Sequence, residues 1–247
     1  MPPSLSYDKI LFLDVETVPC TKHFDKLSDE LQMLWKEKWD SLCMRSPERF
    51  SGTYPEGFER EAGIFAEYGK IICISVGFCY KNEHDGQFHI RTRSFCGDDE
   101  KEILHDFFDL IARFVHTPYH SLAGHNIKEF DIPFICRRAL INGLPLPEIL
   151  QISGKKPWEI NFIDTLELWK FGDFKHYTSL RTLTALFGIP TPKDDIDGSE
   201  VAQVYYTDHN INRISTYCQK DVIATIQVYL RLRGEATVPN DCIECVL

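Results

Sequence analysis

The sequence predicts an α/β protein with one mixed sheet of five strands, flanked by helices on both faces. Apolar β-rich stretches and helical patterns follow one another in the order βββαβαβα, and such an order folds into a sheet covered by helices. The chain has 247 residues, of which 43% are hydrophobic and 26% charged, the composition of a globular protein. This length suffices for one substantial core, so we expect a single domain over residues 1–247.

The first three strands precede most of the helices. A buried strand is predicted over residues 7–15, which include the apolar run "ILFLDV". Two further strands, "KIICISVGFCY" and "GQFHIRTRSFC", are joined by the hairpin turn "KNEHDG". Between the first two strands, residues 20–68 combine a helical pattern with a stretch that contains Pro and Gly, and we interpret them as an insertion of helix and loop.

Helices and strands alternate in the second half of the chain. "DDEKEILHDFFDLIARFV" has an acidic start and apolar residues three and four apart, which predicts a helix. The short strand "SLAGHN" follows, and then a helix that begins near Asp131, whose side chain is placed to cap it. We predict a fifth strand at "EINFIDTLEL", a short helix at "SLRTLTALFGI" and a long helix over residues 210–232.

Charge, cysteines and hydropathy narrow the class of protein. The net charge of −10 argues against a surface that binds nucleic acid as a whole, but it is compatible with an enzyme that meets phosphates through bound cations. The nine cysteines are scattered, as in a reducing compartment, and the single CxxC in "NDCIECVL" is a weak zinc signal. Neither a signal-peptide pattern nor an apolar run of membrane-spanning length is found, so we expect a cytoplasmic protein without a membrane partner.

Carboxylates occupy the ends of predicted strands and helices. Side chains alternate along a strand, so Asp14 and Glu16 point to one face about 6–7 Å apart, and like charges that close repel unless a cation lies between them. Asp131 opens one helix, and Asp221 shares a face of the last helix with Tyr217, four residues earlier. Carboxylate oxygens are the ligands that Mg²⁺ and Mn²⁺ prefer. The four acids together predict a site for divalent cations.

Each of these features has a simpler interpretation when taken alone. A D-x-E pair at a strand end is commonly solvated, and a tyrosine four residues before an acid is commonly packed in a core. In "HNIKEFDIPF", His125 and Asn126 are typical of a hydrogen-bonded turn from strand to helix. Asp164 in "FIDT" is better explained as a helix cap or turn residue than as a metal ligand. The combination, in this order and on these elements, favours the cation site.

Three stretches, "FLDVET", "GHNIKEFDIPF" and "YCQKD", resemble the three exonuclease motifs of the DEDD (DnaQ-like) 3′–5′ exonucleases. The tyrosine of the last motif makes the chain similar to the DEDDy branch, and within it to the exonuclease domain of family B DNA polymerases and their stand-alone relatives. The motifs extend from Asp14 to Asp221, whereas the insertion and the C-terminal tail lie outside the resemblance. The resemblance implies a ribonuclease H-like fold.

The resemblance also implies a chemistry for the predicted site. Asp14, Glu16, Asp131 and Asp221 would hold two divalent cations, Mg²⁺ or Mn²⁺, and would act with them on a phosphodiester. Tyr217 would orient the attacking water. A phenol with a pKa near 10 is a poor base at neutral pH, so positioning is favoured over proton abstraction.

Further residues are candidates for binding the substrate. Positions that match those touching the terminal nucleotide or holding the strand are Thr17, Val18, Asn126 and Phe130, of which the last has a ring that can stack on a base. Lys175 and His176 are candidates for a local basic patch, and an ordinary solvated surface explains them equally well.

The sequence therefore predicts a metal-dependent 3′–5′ exonuclease that acts on single-stranded ends, with DNA preferred over RNA on family likeness alone. One alternative is an exoribonuclease or short-oligonucleotide hydrolase with the same site. Another, from a different class, is a nucleic-acid-binding or assembly module whose site is inactive, and the presence of all four acids and the tyrosine argues against it. The sequence identifies no protein partner.

Overall fold

The computed structural model describes residues 6–173, 177–190 and 195–246. It confirms an α/β fold with one mixed sheet of parallel and antiparallel strands. The strands are β1 Ile10–Pro19, β2 Gly69–Lys81, β3 Phe88–Cys96, β4 Ser121–Gly124, β5 Ile163–Asp164 and β6 Ile243–Val246. The α-helices are α1 Asp29–Arg45, α2 Tyr54–Glu61, α3 Glu100–Phe114, α4 Asp131–Ile141, α5 Thr165–Lys170, α6 Leu180–Phe187, α7 Val201–Gln203 and α8 Ile211–Leu232. The strands form one sheet in the order β5-β4-β1-β2-β3-β6.

Strand β1 lies in the middle of the sheet and contributes to the cores on both sides. It pairs with β2 in antiparallel and with β4 in parallel orientation. Leu11 and Leu13 belong to the apolar cluster that includes residues of α3 and α4, whereas Ile10 and Phe12 pack with residues of α8. Helices therefore cover both faces, and the alternation of β1 directs its even-numbered side chains toward α8.

The first strand differs from its predicted bounds of residues 7–15. Residues 7–9 form a 3₁₀ turn, and β1 continues to Pro19 because its pairing with β2 extends to the pair of Pro19 with Gly69. At the step from Glu16 to Thr17, Ile72 of β2 has no partner, which makes a β-bulge. The sequence had placed Asp14 and Glu16 at the end of the strand, whereas the structure places both inside it.

The edges of the sheet also differ from prediction, since the described residues form six strands and not five. The sixth, β6, comes from the tail "NDCIECVL" and pairs in parallel with β3, from Ile90 opposite Ile243 to Arg93 opposite Val246. At the other edge, β5 is limited to Ile163–Asp164, because Asp164 caps α5 and the residues that follow are helical. None of the helices in the described ranges is long and apolar enough to cross a membrane.

The residues between β1 and β2 form helices and loops with an apolar cluster of their own. Trp35 and Trp39 of α1 are buried in it and stack at 5.7 Å between ring centroids. Their indole N–H groups donate to the backbone carbonyls of Tyr54 and Gly52, at 3.0 and 3.1 Å. The two tryptophans are therefore core residues and not a surface pair.

A buried ion pair joins α3, α4 and β2. Arg138 donates to both carboxylate oxygens of Glu100, at 2.9 and 2.6 Å, and to the carbonyl of Ala66 at 2.9 Å. The same carboxylate accepts the backbone N–H of Ile71 at 2.7 Å. Because every charged group of the pair has a partner, the pair fixes α4, and hence Asp131 at its start, relative to the sheet.

We expect the Arg138→Leu variant to lose about 3–5 kcal/mol of unfolding free energy, because it leaves the Glu100 carboxylate buried without its cation. Urea denaturation measures the loss. Arg137→Leu is the matched control, since Arg137 is exposed on the same turn of α4, and it should change stability by about 0.5 kcal/mol or less. Equal losses in the two variants would contradict the structural role of the pair.

Candidate active site

The first two carboxylates project from β1 toward α8. Asp14 and Glu16 share the face of Ile10 and Phe12, and Glu16 is buried. A donor atom of each carboxylate and the sulfur of Cys218, on α8, lie within 4.8 Å of one another. The Cys218 thiol is 3.5 Å from Oδ2 of Asp14. The structure therefore places the two acids against α8.

Asp131 reaches β1 from the start of α4. Its Oδ1 accepts the backbone N–H of Val15 at 3.2 Å, so the carboxylate lies beside the residue between Asp14 and Glu16. The expectation that its side chain caps α4 is wrong, because α4 has Phe130 at its N-cap with no side-chain hydrogen bond there. The carboxylate faces the strand, and at the start of the helix the N–H of Ile132 donates to the backbone carbonyl of Ile127 at 3.0 Å.

The turn before Asp131 is held by Asp164. Asn126 has a positive φ of 64°, and the N–H of Phe130 donates to its carbonyl at 3.0 Å. Oδ1 of Asp164 accepts the N–H groups of Asn126 and Leu166, both at 2.9 Å. The interpretation of Asp164 as a cap and turn residue is therefore confirmed, and its carboxylate fixes the turn that delivers Asp131.

His125 is part of the same hydrogen-bonded turn. Its Nδ1 contacts the hydroxyl of Thr165 at 2.9 Å, and its Nε2 contacts the carbonyl of Thr178 at 3.0 Å. Burial lowers the pKa of His125 below its ordinary value. The imidazole is thus a neutral structural group, as the interpretation of a strand-to-helix turn requires.

Helix α8 supplies the remaining two residues of the site. Tyr217 is buried, and the charges that act on its phenol are those of Asp221, Glu16 and Asp14. Among the neighbouring charges, that of Asp221 has the largest effect on the pKa of Asp14. The structure thus brings the four acids and the tyrosine together from β1, α4 and α8, while their catalytic roles stay predictions.

Crowding of buried acids controls the electrostatics of the site. Burial, followed by the charges of Asp221, Glu16 and Asp131, raises the pKa of Asp14 well above its ordinary value. Burial is also the main reason that the pKa of Asp131 rises to about 7. All three charges that act on Asp14 are negative, so divalent cations would relieve the repulsion. An all-oxygen carboxylate set therefore fits Mg²⁺ or Mn²⁺.

Burial and the same carboxylates raise the pKa of Tyr217 far above 10, its burial being the largest cause. The phenol therefore keeps its proton at neutral pH and acts as a hydrogen-bond donor.

The predicted substrate-binding residues lie around this cluster with different exposures. Thr17 is half-buried, and its hydroxyl donates to the carbonyl of Gly63 at 2.8 Å. Val18 is fully buried, its backbone included, so the structure leaves none of its surface exposed. Asn126 and Phe130 are half-buried, and the Phe130 ring packs against Phe134 at 5.6 Å. The remaining two candidates, Lys175 and His176, lie outside the described residues.

Cys218 is the site neighbour that sequence reasoning missed. Its spacing from Ile214 and Val222 made it an apolar position of the α8 stripe, and it is indeed fully buried. The signal that could have found it is its place in "YCQKD", directly after Tyr217, on the face that turns toward β1. Its thiol donates toward the carbonyl of Asp14 at 3.4 Å as well as toward the carboxylate.

Comparison with known proteins identifies a family and a fold that this chain shares. The family described as "Predicted 3′-5′ exonuclease related to the exonuclease domain of PolB" matches residues 65–237, more than two thirds of the chain. This range contains Asp131, Tyr217 and Asp221, and it begins after β1 with Asp14 and Glu16. A comparison with curated protein sequences gives no match.

Among solved structures, the family B DNA polymerase from the hyperthermophilic archaeon Pyrobaculum calidifontis is similar to this chain, with a TM-score of 0.51 and 15% sequence identity. The similarity covers 90% of this chain and 24% of the polymerase, so the chain spans about a quarter of the polymerase's length. At this identity the likeness shows the fold alone. That fold is the ribonuclease H-like fold of a polymerase exonuclease domain, as the resemblance implied.

We expect the unfolding free energy of the metal-free protein to fall as the pH rises. Asp131 has an ordinary pKa of 3.8, which applies to the unfolded chain, and a pKa of about 7 in the folded protein. A raised pKa means that the folded state binds the proton more tightly, so its contribution is complete below pH 3.8 and lost as the pH rises through 7. Asp14 shifts in the same direction.

Urea denaturation in a chelator between about pH 5 and pH 8 tests this expectation. The unfolding free energy should fall with pH, the slope should be smaller in Asp131→Asn, and Mn²⁺ should restore stability at the upper end. A free energy that rises or stays constant over this range in the wild-type protein would contradict the crowding of the four acids.

Proposed function

Because this chain belongs to the family of predicted 3′–5′ exonucleases related to the exonuclease domain of PolB, we propose that it removes nucleotides from the 3′ end of single-stranded nucleic acid. The observation that carries the proposal is the convergence of Asp14, Glu16, Asp131 and Asp221 from three elements far apart in the sequence. The preference for DNA over RNA rests on likeness to the polymerase exonuclease domain alone.

The four carboxylates would hold two divalent cations, Mg²⁺ or Mn²⁺. When bound, such cations supply an activated water and offset the negative charge that a phosphodiester gains in its transition state. The chain's own contribution is to keep the acids in place. The Val15 N–H holds one oxygen of Asp131, and the Cys218 thiol holds Asp14 from the side of α8.

Tyr217 acts as a positioning group in this proposal. Its phenol keeps its proton because burial and the neighbouring carboxylates raise its pKa, so it is not the base that takes a proton from water. It lies one helical turn before Asp221 on the same face of α8, and the charge of Asp221 acts on it. From that fixed position its hydroxyl can orient a water or a phosphate oxygen beside the acids.

The residues around the acids would hold the terminal nucleotide. Phe130 directly precedes Asp131, so a base stacked on the accessible part of its ring brings its phosphodiester close to the cluster. Asn126 at the start of the same turn and Thr17 on β1 offer polar side chains to the sugar and phosphate. Lys175 and His176 would add contacts with the backbone of the strand, Lys175 as a cation.

A cytoplasmic location completes the proposal. All nine cysteines are free thiols in the structure, which is what a reducing compartment favours.

The test uses single-stranded DNA and RNA of one sequence, each labelled at the 5′ or the 3′ end, with Mg²⁺ or Mn²⁺. The 5′-labelled DNA should give a ladder that shortens stepwise, and the 3′ label should be released at once as a mononucleotide. A chelator should abolish both. Faster digestion of RNA, or of strands of a few nucleotides, would favour the exoribonuclease or short-oligonucleotide alternative.

We expect Asp14→Asn to lower the rate by about 10²-fold or more, because it removes a charge that acts directly on the cations and the reacting phosphate. Glu129→Gln is the matched control, because Glu129 is an exposed acid on the turn before Asp131 and should keep the wild-type rate. Binding of labelled DNA without any digestion by the wild-type protein would indicate an inactive binding module. Unchanged digestion by Asp14→Asn would contradict the proposed site.

A further inference from the structure

A second group of metal-ligating side chains lies away from the carboxylate cluster. Asp85 is in the turn between β2 and β3, His89 is near the start of β3, and Cys242 lies just before β6. A donor atom of each lies within 4.8 Å of those of the other two. This group joins the hairpin, which lies inside the range that matches the exonuclease family, to the C-terminal segment, which lies beyond that range.

The carboxylate and the imidazole are already fixed next to each other. Oδ2 of Asp85 lies 2.8 Å from Nε2 of His89, and Oδ1 of Asp85 accepts the N–H of Gln87 at 2.8 Å. The side-chain amide of Asn82 lies 3.4 Å from the same Nε2, and the His89 ring packs beside Tyr80. Two ligands on one tetrahedral Zn²⁺ at bond lengths of about 2.0–2.1 Å are about 3.3 Å apart, so these two donors need to separate by only about half an ångström to share an ion.

Cys242 provides the independent observation. Its residue is only 9% exposed, and its thiol makes no hydrogen bond to any other described residue. The neighbouring Cys245 is exposed on β6 and is not part of the group. A buried thiol without a polar partner, facing an imidazole and a carboxylate, has the chemistry of a metal ligand.

We propose that Asp85, His89 and Cys242 form a binding site for Zn²⁺ or a similar transition-metal ion. A thiolate and an imidazole select such an ion over Mg²⁺, which prefers oxygen ligands, and a water would complete a tetrahedral site. The ion would tie β6, a four-residue edge strand that pairs with β3, to the β2–β3 hairpin. It therefore acts on the edge of the sheet opposite β5, and it is independent of the proposed nuclease reaction.

The test uses Co²⁺ alone as the probe, added to the full chain after metal removal under a reductant that contains no thiol. The wild-type protein should show the absorption of thiolate-to-cobalt charge transfer, saturating at one ion per chain. Cys242→Ser and His89→Ala should each lose this band. Cys245→Ser is the matched control in the same tail, and Cys218→Ser excludes the thiol beside Asp14, so both should keep the band.

The absence of the band in the wild-type protein overturns the proposal, as does a band that survives in Cys242→Ser or in His89→Ala. Circular dichroism of the metal-free variants establishes that they are folded, and Asp85→Ala replaces Cys242→Ser if that variant is not. A second measurement is thermal unfolding. Zn²⁺ should raise the melting temperature of the wild-type protein by about 5 °C or more, and not that of His89→Ala. An equal rise in both proteins also overturns the proposal.

Discussion

The repulsion among buried carboxylates is the constraint on which the rest of this structure depends. Asp14 experiences the negative charges of Asp221, Glu16 and Asp131 while burial removes water from around it. Such an arrangement costs stability in the absence of cations, and the folded scaffold must therefore hold the acids together against their own charges. A surface cluster would relax by turning its side chains into solvent, which the buried Glu16 and Asp131 cannot do.

The scaffold meets this constraint by fixing each acid through a different kind of contact. The pairing of β1 with β2 and β4 fixes Asp14 and Glu16, since both lie inside the strand. Asp131 depends on the turn held by Asp164 and on the Glu100–Arg138 pair that anchors α4. Asp221 and Tyr217 depend on α8, whose apolar stripe packs along one face of the sheet. The pairing of β1 thus supports two of the acids, and α4 and α8 support one each.

Sequence reasoning predicted the features that follow from simple periodicity. The alternation of side chains along a strand places Asp14 and Glu16 on one face of β1, and the helical repeat places Tyr217 and Asp221 on one face of α8. The order of elements gave the mixed sheet with helices on both faces. It did not give β6, because a four-residue edge strand has too short a pattern and depends on pairing with β3. The end of β1 at Pro19 likewise depends on β2 and not on local preference.

The finer geometry of the candidate site depends on contacts distant in sequence. Asp131 looked like a helix cap because it opens α4, yet its carboxylate bonds Val15, 116 residues away. Cys218 looked like an apolar residue, and only the packing of α8 on β1 brings its thiol to Asp14. Asp85, His89 and Cys242 form no sequence motif, because the tail is far from the hairpin along the chain and only the folded structure brings them together.

The most direct measurement of the central claim is anomalous diffraction from crystals soaked in millimolar Mn²⁺. If the four acids form the cation site of an exonuclease, anomalous peaks should appear in contact with Asp14, Glu16, Asp131 and Asp221. The same peaks should be lost or weakened in crystals of Asp14→Asn. The absence of any peak at these carboxylates in the wild-type crystals, with the cluster accessible to solvent in the lattice, would contradict the account.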